Sequence, residues 1–318
     1  MKTVLANDGI SQLGIDTLQA AGYEVLTQKV AQDQLPKVIN DKHINVLLVR
    51  SATKVRKELI DACPTLQIIG RGGVGMDNID VEYAENKGLK VINTPAASSE
   101  SVAELVFAHL FNLVRFMYDS NRQMPLEGDT KFKELKKAYG KGQELKGKRL
   151  GIIGFGRIGQ EVAKRAIGLG MEVIVNDSFI KEKELELSFF DGQQLTFNIQ
   201  TSPLNDVLQK SDYITLHIPK VSDKAIIGKN EIDKMKDKVG IINAARGGVI
   251  DEEALIKALE SGKVMAAGLD VYDNEPTPSI KLLMLQNVSL TPHIGAATNE
   301  AQTRIGKELA DKIIAHFG

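Results

Sequence analysis

The fold of this chain is decided by one stretch, Arg149-Leu150-Gly151-Ile152-Ile153-Gly154-Phe155-Gly156-Arg157-Ile158-Gly159. An apolar run predicts a strand, and the turn that follows it has the form G-x-G-x-x-G. The residues after the turn have helical spacing, with apolar positions at Val162, Ala163, Ala166 and Ile167. Glycines at these positions permit a tight turn and let the backbone approach a pyrophosphate, so the stretch predicts a dinucleotide-binding βαβ unit.

An acidic residue stands where the second strand of such a unit ends. Residues 172–175 predict that strand, and Asp177 follows it, roughly 20 positions after Gly154. A carboxylate there bonds ribose hydroxyls and repels the 2′-phosphate of NADP, which favours NAD. Arg157 keeps NADP as an alternative cofactor, because a guanidinium at this position could bind a phosphate. The turn residues expected to bind the cofactor are Gly154, Gly156, Arg157, Ile158 and Gly159.

Short β-branched runs alternate with helical patterns on both sides of this stretch. Strands are predicted before it at 3–6, 23–26, 45–49, 66–69 and 90–92, and after it at 213–216, 240–242, 265–269 and 288–290. Helical patterns separate most of these runs, and residues 300–317 predict a final amphipathic helix. The sequence therefore predicts an α/β protein with two doubly wound parallel-sheet domains.

Composition argues against several classes of function. Lys and Arg (40) nearly balance Asp and Glu (41), so no net charge attracts nucleic acid or an anionic membrane. Apolar runs are too short to span a membrane, and the first residues do not resemble a signal peptide. The single cysteine, Cys63, cannot form an intramolecular disulfide. A cytoplasmic protein without a metal site is expected.

Two segments between the alternating blocks have distinct patterns. Residues 101–118 predict a helix that is apolar almost all round, and such a helix must be buried between domains or against a second subunit. Residues 128–147 are rich in lysine and weakly patterned, which predicts an exposed connection.

Three polar residues follow apolar strands in the second block, namely Arg246, Glu275 and His293. Ligands of open α/β sheets bind outside the carboxyl ends of the strands, so the three are expected to converge. A histidine can take a hydroxyl proton near neutral pH while hydride leaves the same carbon. A carboxylate on its far nitrogen fixes the tautomer and favours imidazolium, and an arginine fork can hold a substrate carboxylate.

Each of these residues also has a structural alternative. Arg246 could belong to an anion-binding turn, and Glu275 and His293 could be polar loop residues. The remaining histidines are weaker candidates for the acid and base, and they are His43, His109, His217 and His316.

The motif series resembles that of the D-2-hydroxyacid dehydrogenases. The similar stretches are 70–78, 93–95, 154–159, 243–248, 268–271, 274–276 and 291–296, in the order of the family and over nearly the whole chain. The resemblance implies that Arg246, Glu275 and His293 are the catalytic residues. It also implies that a Rossmann NAD-binding domain, 101–293, is inserted into a flavodoxin-like substrate-binding domain, 1–100 with 294–318. Dimerisation through the NAD-binding domain is expected on the same basis.

The resemblance implies further cofactor contacts. Asp270 and the region of Ala244 would contact the nicotinamide, and the other expected cofactor residues are Val74, Ile218, Pro219, Ala245, Gly295 and Ala296. Two positions depart from the family. Val74 stands where Thr or Ser is common, and Lys220 follows Pro219 where an apolar residue is usual. Side-chain contacts to the nicotinamide ribose are therefore left open.

Within the family, residues 49–55 and Gly70-Arg71 resemble the 3-phosphoglycerate dehydrogenases. Arg50 and Arg71 each follow a predicted strand and are expected to aim guanidinium groups into an interdomain cleft, where they suit a phosphorylated acid. Salt bridging at a domain edge is the alternative. The expected substrate residues are Arg50, Ser51, Arg71, Gly72 and Gly73. A lysine run could complete the phosphate site or could simply be solvated, and it comprises Lys136, Lys137 and Lys141.

The expected reaction is NAD-dependent oxidation of D-3-phosphoglycerate to 3-phosphohydroxypyruvate, the first step of serine synthesis. A general glyoxylate/hydroxypyruvate reductase or D-lactate dehydrogenase is the alternative. Two residues count against this alternative. The lactate enzymes place a tyrosine at the position of Ala97, and NADP-using reductases have Arg or Ser at the position of Asp177. An NAD-sensing corepressor-like protein is the alternative from another class, disfavoured by the catalytic residues. Serine feedback is not expected, because the chain ends shortly after its last helix.

Overall fold

A computed structural model describes residues 1–220, 222 and 224–318 of the chain. These residues divide into two compact units, of which one comprises Met1–Ser101 with Ala296–Gly318 and the other Val102–Gly295. The chain therefore leaves the first unit, builds the second and returns to complete the first. Across the described residues, no helix is both long and apolar enough to cross a membrane.

The first unit alternates strands with helices. Its elements up to residue 93 are β1 (Thr3–Ala6), α1 (Gln12–Ala20), β2 (Glu24–Leu26), α2 (Leu35–Asp41), β3 (Val46–Val49), α3 (Lys57–Ala62), β4 (Ile68–Arg71), α4 (Val81–Asn86) and β5 (Lys90–Asn93). The five strands are parallel in the order β2-β1-β3-β4-β5, which is a flavodoxin-like order. Every residue of β1 and β3 is buried, because helices cover both faces of a parallel sheet.

The second unit is built on a six-stranded parallel sheet. Its elements are α5 (Ser99–Arg115, which begins in the first unit), α6 (Met117–Glu127), α7 (Phe132–Tyr139), β6 (Arg149–Ile153), α8 (Arg157–Gly168), β7 (Glu172–Asn176), β8 (Glu182–Ser188), β9 (Gln194–Gln200), α9 (Leu204–Lys210), β10 (Tyr213–Leu216), α10 (Lys229–Lys234), β11 (Val239–Asn243), α11 (Glu252–Ser261), β12 (Val264–Leu269), α12 (Ile280–Leu283) and β13 (Val288–Leu290). The order β13-β12-β11-β10-β6-β7 reverses direction between β6 and β10. Such a reversal is where open α/β sheets bind ligands, and the glycine-rich turn follows β6 at that point.

The last helix, α13 (Asn299–Phe317), belongs to the first unit. It buries Ile305, Leu309, Ala310 and Ile313 in the same core as β1, β3 and β4. Helices α1 and α13 approach backbone to backbone, since a Cβ on Gly14 would lie 2.8 Å from the carbonyl oxygen of Gly306. The predicted α/β class with parallel sheets is therefore confirmed.

Three local features differ from the expectations. The long helix predicted for 101–118 ends at Arg115, because Phe116 adopts a left-handed φ of 55° and starts α6. The lysine-rich connection contains the helix α7. Between β7 and α9, where no strand was predicted, β8 and β9 form an antiparallel hairpin. Its signal was a period-two alternation, in which the buried Leu185 and Leu187 alternate with exposed polar residues.

Candidate active site

The glycine-rich turn after β6 has the shape that a dinucleotide requires. Gly154 has a φ of 94°, and a Cβ there would lie 2.5 Å from the carbonyl oxygen of His217. A Cβ on Gly159 would collide with the carbonyl oxygen of Gly154, whereas the Cβ position of Gly156 has no atom within 4 Å. Gly156 is also the N-cap residue of α8, so open space adjoins the positive end of a 12-residue helix. These residues fit the pyrophosphate of NAD.

Asp177 follows β7 and is bound to the same turn. Its Oδ2 accepts a hydrogen bond of 2.7 Å from the N–H of Phe155, and its Oδ1 accepts from the N–H groups of Phe179 and Ile180 at 2.8 and 3.0 Å. Partial burial acts to raise the pKa of Asp177, but these three donors outweigh it and lower the pKa. The carboxylate is therefore ionised and fixed beside the glycine-rich turn.

A histidine and a glutamate pair at the ends of the next strands. Nδ1 of His293 lies 2.7 Å from Oε2 of Glu275, and both side chains are partly exposed, at 41% and 35%. The other oxygen, Oε1 of Glu275, accepts the N–H of Tyr272 at 3.0 Å, which orients the carboxylate. Because Nδ1 carries the proton bonded to Glu275, Nε2 of His293 is the nitrogen that can exchange a proton with a ligand.

Arg246 lies in the turn after β11. Asn243 holds this turn from inside, because its Nδ2 donates to the carbonyl oxygen of Arg246 at 2.9 Å and its Oδ1 accepts the N–H of Ala245 at 3.1 Å. Nη1 of Arg246 donates to the carbonyl oxygen of Ala245 at 2.7 Å. A Cβ on Gly247 would collide with the carbonyl oxygen of Tyr272. The loops that carry Arg246 and Glu275 are thus in direct contact.

Asp270 lies at the end of β12 and is 1% exposed. Its Oδ1 accepts from Oγ1 of Thr291 at 2.6 Å and from the N–H of Ile294 at 2.8 Å, and its Oδ2 accepts from the N–H of Gly295 at 2.8 Å. The carboxylate therefore fastens the loop that contains His293. Contact between Asp270 and the nicotinamide stays a prediction.

The other expected cofactor residues lie in two places. Ile218 and Pro219 follow β10, and Ala244 and Ala245 follow β11, which places them at the same edge of the sheet as the glycine-rich turn. Val74 and Ala296 belong to the first unit. His217, beside Ile218, has an Nδ1 that is buried without a hydrogen-bond partner among the described residues, and burial lowers its pKa to about 3. A neutral His217 is unsuited to acid–base chemistry near pH 7.

In the first unit, Arg50 and Arg71 lie at the carboxyl ends of the neighbouring strands β3 and β4. The Cβ that a side chain at Gly72 would have lies 3.7 Å from Cγ of Arg50. A Cβ on Gly73 would collide with Nη1 of Arg71. Both arginine side chains therefore lie along the Gly72-Gly73 turn. Ser51, next to Arg50, is exposed.

Two polar residues that sequence reasoning missed hold this arginine pair. Oδ2 of Asp8 accepts the N–H of Arg50 at 2.7 Å. Nδ2 of Asn78 donates to the carbonyl oxygen of Arg50 at 2.7 Å, and Oδ1 of Asn78 accepts from Nε of Arg71 at 3.3 Å. Their signal was positional, because Asp8 closely follows β1 and Asn78 belongs to the 70–78 stretch.

The remaining candidates contribute no further site geometry. Lys136 and Lys137 on α7, and Lys141 after it, are exposed in the second unit, and their contact with substrate stays a prediction. The described residues contain no cluster of His, Cys, Asp and Glu able to hold a metal ion. Burial raises the pKa of the Cys63 thiol to about 11, so this cysteine is not a nucleophile at neutral pH.

Comparison with known proteins extends the likeness over the whole chain. The family model described as D-isomer specific 2-hydroxyacid dehydrogenase, NAD binding domain, matches residues 107–295. A hydroxypyruvate reductase of Thermotoga maritima is 47% identical over 93% of this chain and 91% of the relative. A D-3-phosphoglycerate dehydrogenase of Methanocaldococcus jannaschii is 42% identical over 98% of this chain, which spans only 57% of that relative. The crystal structure of a glyoxylate reductase from Paecilomyes thermophila has a TM-score of 0.82 at 29% identity, covering 98% of this chain and 94% of that one.

Asp177→Asn tests the cofactor preference. The amide retains one oxygen that can accept the turn N–H groups, but it loses the charge that repels a 2′-phosphate and an acceptor for ribose hydroxyls. We expect the Kd for NADH to rise about tenfold and the preference for NADH over NADPH to narrow. Both dissociation constants can be measured by nicotinamide fluorescence.

The matched control is Asp206→Asn, which removes an exposed carboxylate of α9 in the same unit. It should leave both dissociation constants within about twofold of wild type. Equal affinity of the wild-type protein for NADH and NADPH would contradict the role assigned to Asp177.

Proposed function

The chain belongs to the D-isomer specific 2-hydroxyacid dehydrogenase family, and from that premise we propose that it oxidises D-3-phosphoglycerate to 3-phosphohydroxypyruvate. It is an NAD-dependent oxidoreductase that acts on CH–OH donors. The choice of a phosphorylated acid rests on one observation, the two guanidinium side chains along the Gly72-Gly73 turn. This reaction would begin serine synthesis in the cytoplasm, a reducing compartment that suits the lone thiol of Cys63.

The chemistry of oxidation falls to three side chains. Bound NAD supplies the acceptor for the hydride that leaves C2 of the acid. Nε2 of His293 takes the proton of the C2 hydroxyl, so that one hydride and one proton leave as the carbonyl forms. Glu275 stabilises the resulting imidazolium through the 2.7 Å bond to Nδ1. Arg246 pairs with the substrate carboxylate and polarises the developing carbonyl oxygen.

His293→Ala tests this assignment. The variant should bind NADH as wild type does but lose about two to four orders of magnitude in kcat, because proton transfer alone is removed. Stopped-flow measurement of NADH formation, with a fluorescence titration of NADH binding, separates the two effects. His43→Ala, which replaces a histidine of the first unit, is the control and should keep wild-type turnover. Near-normal kcat in His293→Ala would show that another group is the base.

The two arginines at the Gly72-Gly73 turn, Arg50 and Arg71, support a dianionic ligand. A phosphate accepts several charge-assisted hydrogen bonds, and an arginine fork matches its geometry. The loop that carries Arg50 is fastened by Asp8 and Asn78, so its backbone is ordered before a ligand binds. Relatives from Methanocaldococcus jannaschii and Bacillus subtilis carry the name D-3-phosphoglycerate dehydrogenase at 42% and 38% identity.

A second candidate is reduction of hydroxypyruvate, which lacks the phosphate. The relative named hydroxypyruvate reductase has the higher identity, 47%, and matches this chain over 91% of its own length. The two functions share the same acid–base chemistry and differ in whether the C3 oxygen carries a phosphate. Substrate discrimination therefore separates them.

Arg50→Ala and Arg71→Ala measure that discrimination. Each should raise the KM for 3-phosphoglycerate by about ten- to a hundredfold, because a charge-assisted bond to phosphate is lost. The affinity for NADH should change little. Steady-state kinetics with 3-phosphoglycerate and with D-glycerate provides both KM values.

Arg56→Ala is the matched control, since Arg56 is a first-unit arginine outside the Gly72-Gly73 turn, where it pairs with Asp80 at 2.8 Å. It should leave the KM for 3-phosphoglycerate within about twofold of wild type. If the wild-type enzyme uses D-glycerate as efficiently as 3-phosphoglycerate, the hydroxypyruvate reductase function is the better one.

We also propose that two copies of the chain pair through the second unit. An open groove of about 430 Å³ runs between α5 and α8, with an apolar floor that includes Phe107, Phe111 and Leu169. Phe111 is 41% exposed, and further exposed apolar side chains on the following helices are Met117, Met124, Leu126 and Phe132. An exposed apolar patch such as the one in this groove marks a protein interface.

Phe111→Glu should convert the dimer to a monomer, because a carboxylate on the apolar floor of the groove would be desolvated when two copies pair. Light scattering coupled to size-exclusion chromatography reports the mass directly. Phe179→Glu, at a phenylalanine that is 93% exposed elsewhere in the same unit, is the control and should remain dimeric. A wild-type protein that is monomeric at tens of micromolar would refute the pairing.

A further inference from the structure

His109 is a polar residue in the interior of the second unit. It lies on α5 and is 1% exposed. Its ring packs against β12 at Gly268, where a Cβ would lie 2.7 Å from Cβ and 3.0 Å from Cγ of His109. A glycine in β12 is therefore needed to admit the imidazole. Burying such a ring is costly unless its nitrogens are hydrogen-bonded.

Both nitrogens of His109 have partners on or just after β13. Nδ1 lies 2.9 Å from Oγ of Ser289, and Nε2 lies 3.1 Å from Oγ1 of Thr291. The hydroxyl of Thr291 in turn donates to Oδ1 of Asp270 at 2.6 Å. We call Ser289, His109, Thr291 and Asp270 the buried relay.

The directions of the hydrogen bonds in the buried relay follow from Asp270, the acceptor at its end. Three donors point at Asp270, namely the Thr291 hydroxyl and two backbone N–H groups, so this side chain is an accepting carboxylate. Thr291 has one hydroxyl proton and gives it to Asp270. Its oxygen must then accept from Nε2–H of His109, and the lone pair on Nδ1 accepts the hydroxyl of Ser289. This pattern places a proton on Nε2 of His109, and in a neutral ring Nδ1 then accepts from Ser289.

Electrostatics agree with that protonation state. Burial lowers the pKa of His109, and the opposing attraction of Asp270 is smaller. The ring therefore stays neutral near pH 7.

The buried relay ends on the loop of the candidate base. The two backbone groups bonded to Asp270 belong to Ile294 and Gly295, directly after His293. His293 itself has a φ of 55°, a left-handed conformation that residues other than glycine rarely adopt. Asp270 holds the chain immediately after this unfavourable conformation, so its orientation bears on where the His293 ring lies.

We propose that His109 is a positioning residue for the His293–Glu275 pair, acting through Thr291 and Asp270. The donor at Nε2 fixes the rotamer of the Thr291 hydroxyl, which keeps the Asp270 carboxylate directed at the N–H groups of Ile294 and Gly295. Loss of this donor frees the Thr291 hydroxyl and loosens the loop. The inference rests on the proposed function, because it takes His293 to be the base.

His109→Leu and Thr291→Val break the relay at two successive points, and Thr291→Val does so with little change of shape. Each should lower kcat roughly tenfold, because a small displacement of the base is enough to slow proton transfer. The KM and the Kd for NADH should stay within about twofold of wild type. The midpoint of the His293 ring titration, followed by NMR, should move in both variants. The double variant should be no worse than either single one, since both break the same chain.

A rescue and a control separate positioning from stability. His109→Gln keeps an N–H donor at comparable reach, so it should recover most of the lost kcat, and it also serves if His109→Leu does not fold. Tyr213→Phe removes a partly buried hydrogen bond of the second unit, from Oη to Oε1 of Gln143 at 2.9 Å, without touching the relay. It should lower the melting temperature while kcat and the His293 titration stay at wild-type values.

The outcomes are distinct. If the relay variants lower only the melting temperature, as Tyr213→Phe is expected to do, His109 is structural and the proposal is overturned. If the wild-type protein turns over none of the 2-hydroxy acids, the proposed function fails instead. The NMR titration still reports in that case whether His109 is coupled to His293.

Discussion

Backbone N–H groups just beyond the end of a buried parallel strand have no hydrogen-bond partner in the sheet. Each of them therefore needs another acceptor. In this protein the acceptor is repeatedly an acidic or amide side chain at or just after the end of a strand. Asp8 serves the Arg50 loop, Asp177 the glycine-rich turn, Asn243 the Arg246 turn and Asp270 the loop of His293. The site depends on this arrangement, since the loops fixed in this way carry Arg50, the glycine-rich turn, Arg246 and His293.

These acceptors serve structure and electrostatics together. Asp177 satisfies three N–H groups, and the same bonds keep it ionised, so a carboxylate that orders a turn also sets the sign of the charge that a cofactor meets. Glu275 likewise accepts the N–H of Tyr272 with one oxygen and the ring of His293 with the other. A substitution at either acid therefore changes local order and local charge at once, which is why amide replacements are more informative than alanine here.

Connectivity adds a second constraint. The chain returns to the first unit only after completing the second, and α13 then packs so closely on α1 that Gly14 and Gly306 leave no room for side chains. The hairpin of β8 and β9 is inserted between β7 and α9 without disturbing the parallel order of the six-stranded sheet. Insertions at strand ends are tolerated because the central strands keep their buried registers on both sides.

The sequence by itself determined the features that depend on local spacing. Hydrophobic periodicity gave the parallel α/β class, and the G-x-G-x-x-G turn followed by Asp177 gave the dinucleotide site, because tight turns and strand alternation are encoded within a few residues. Local spacing identified Arg246, Glu275 and His293 as candidates but could not supply the 2.7 Å bond between the last two. Only the tertiary structure decided that His109, predicted to be a weak candidate on an apolar helix, bonds Thr291 across 182 positions of sequence. That contact depends on how α5 packs over β12 and β13, and no local pattern records which distant hydroxyl a buried ring will meet.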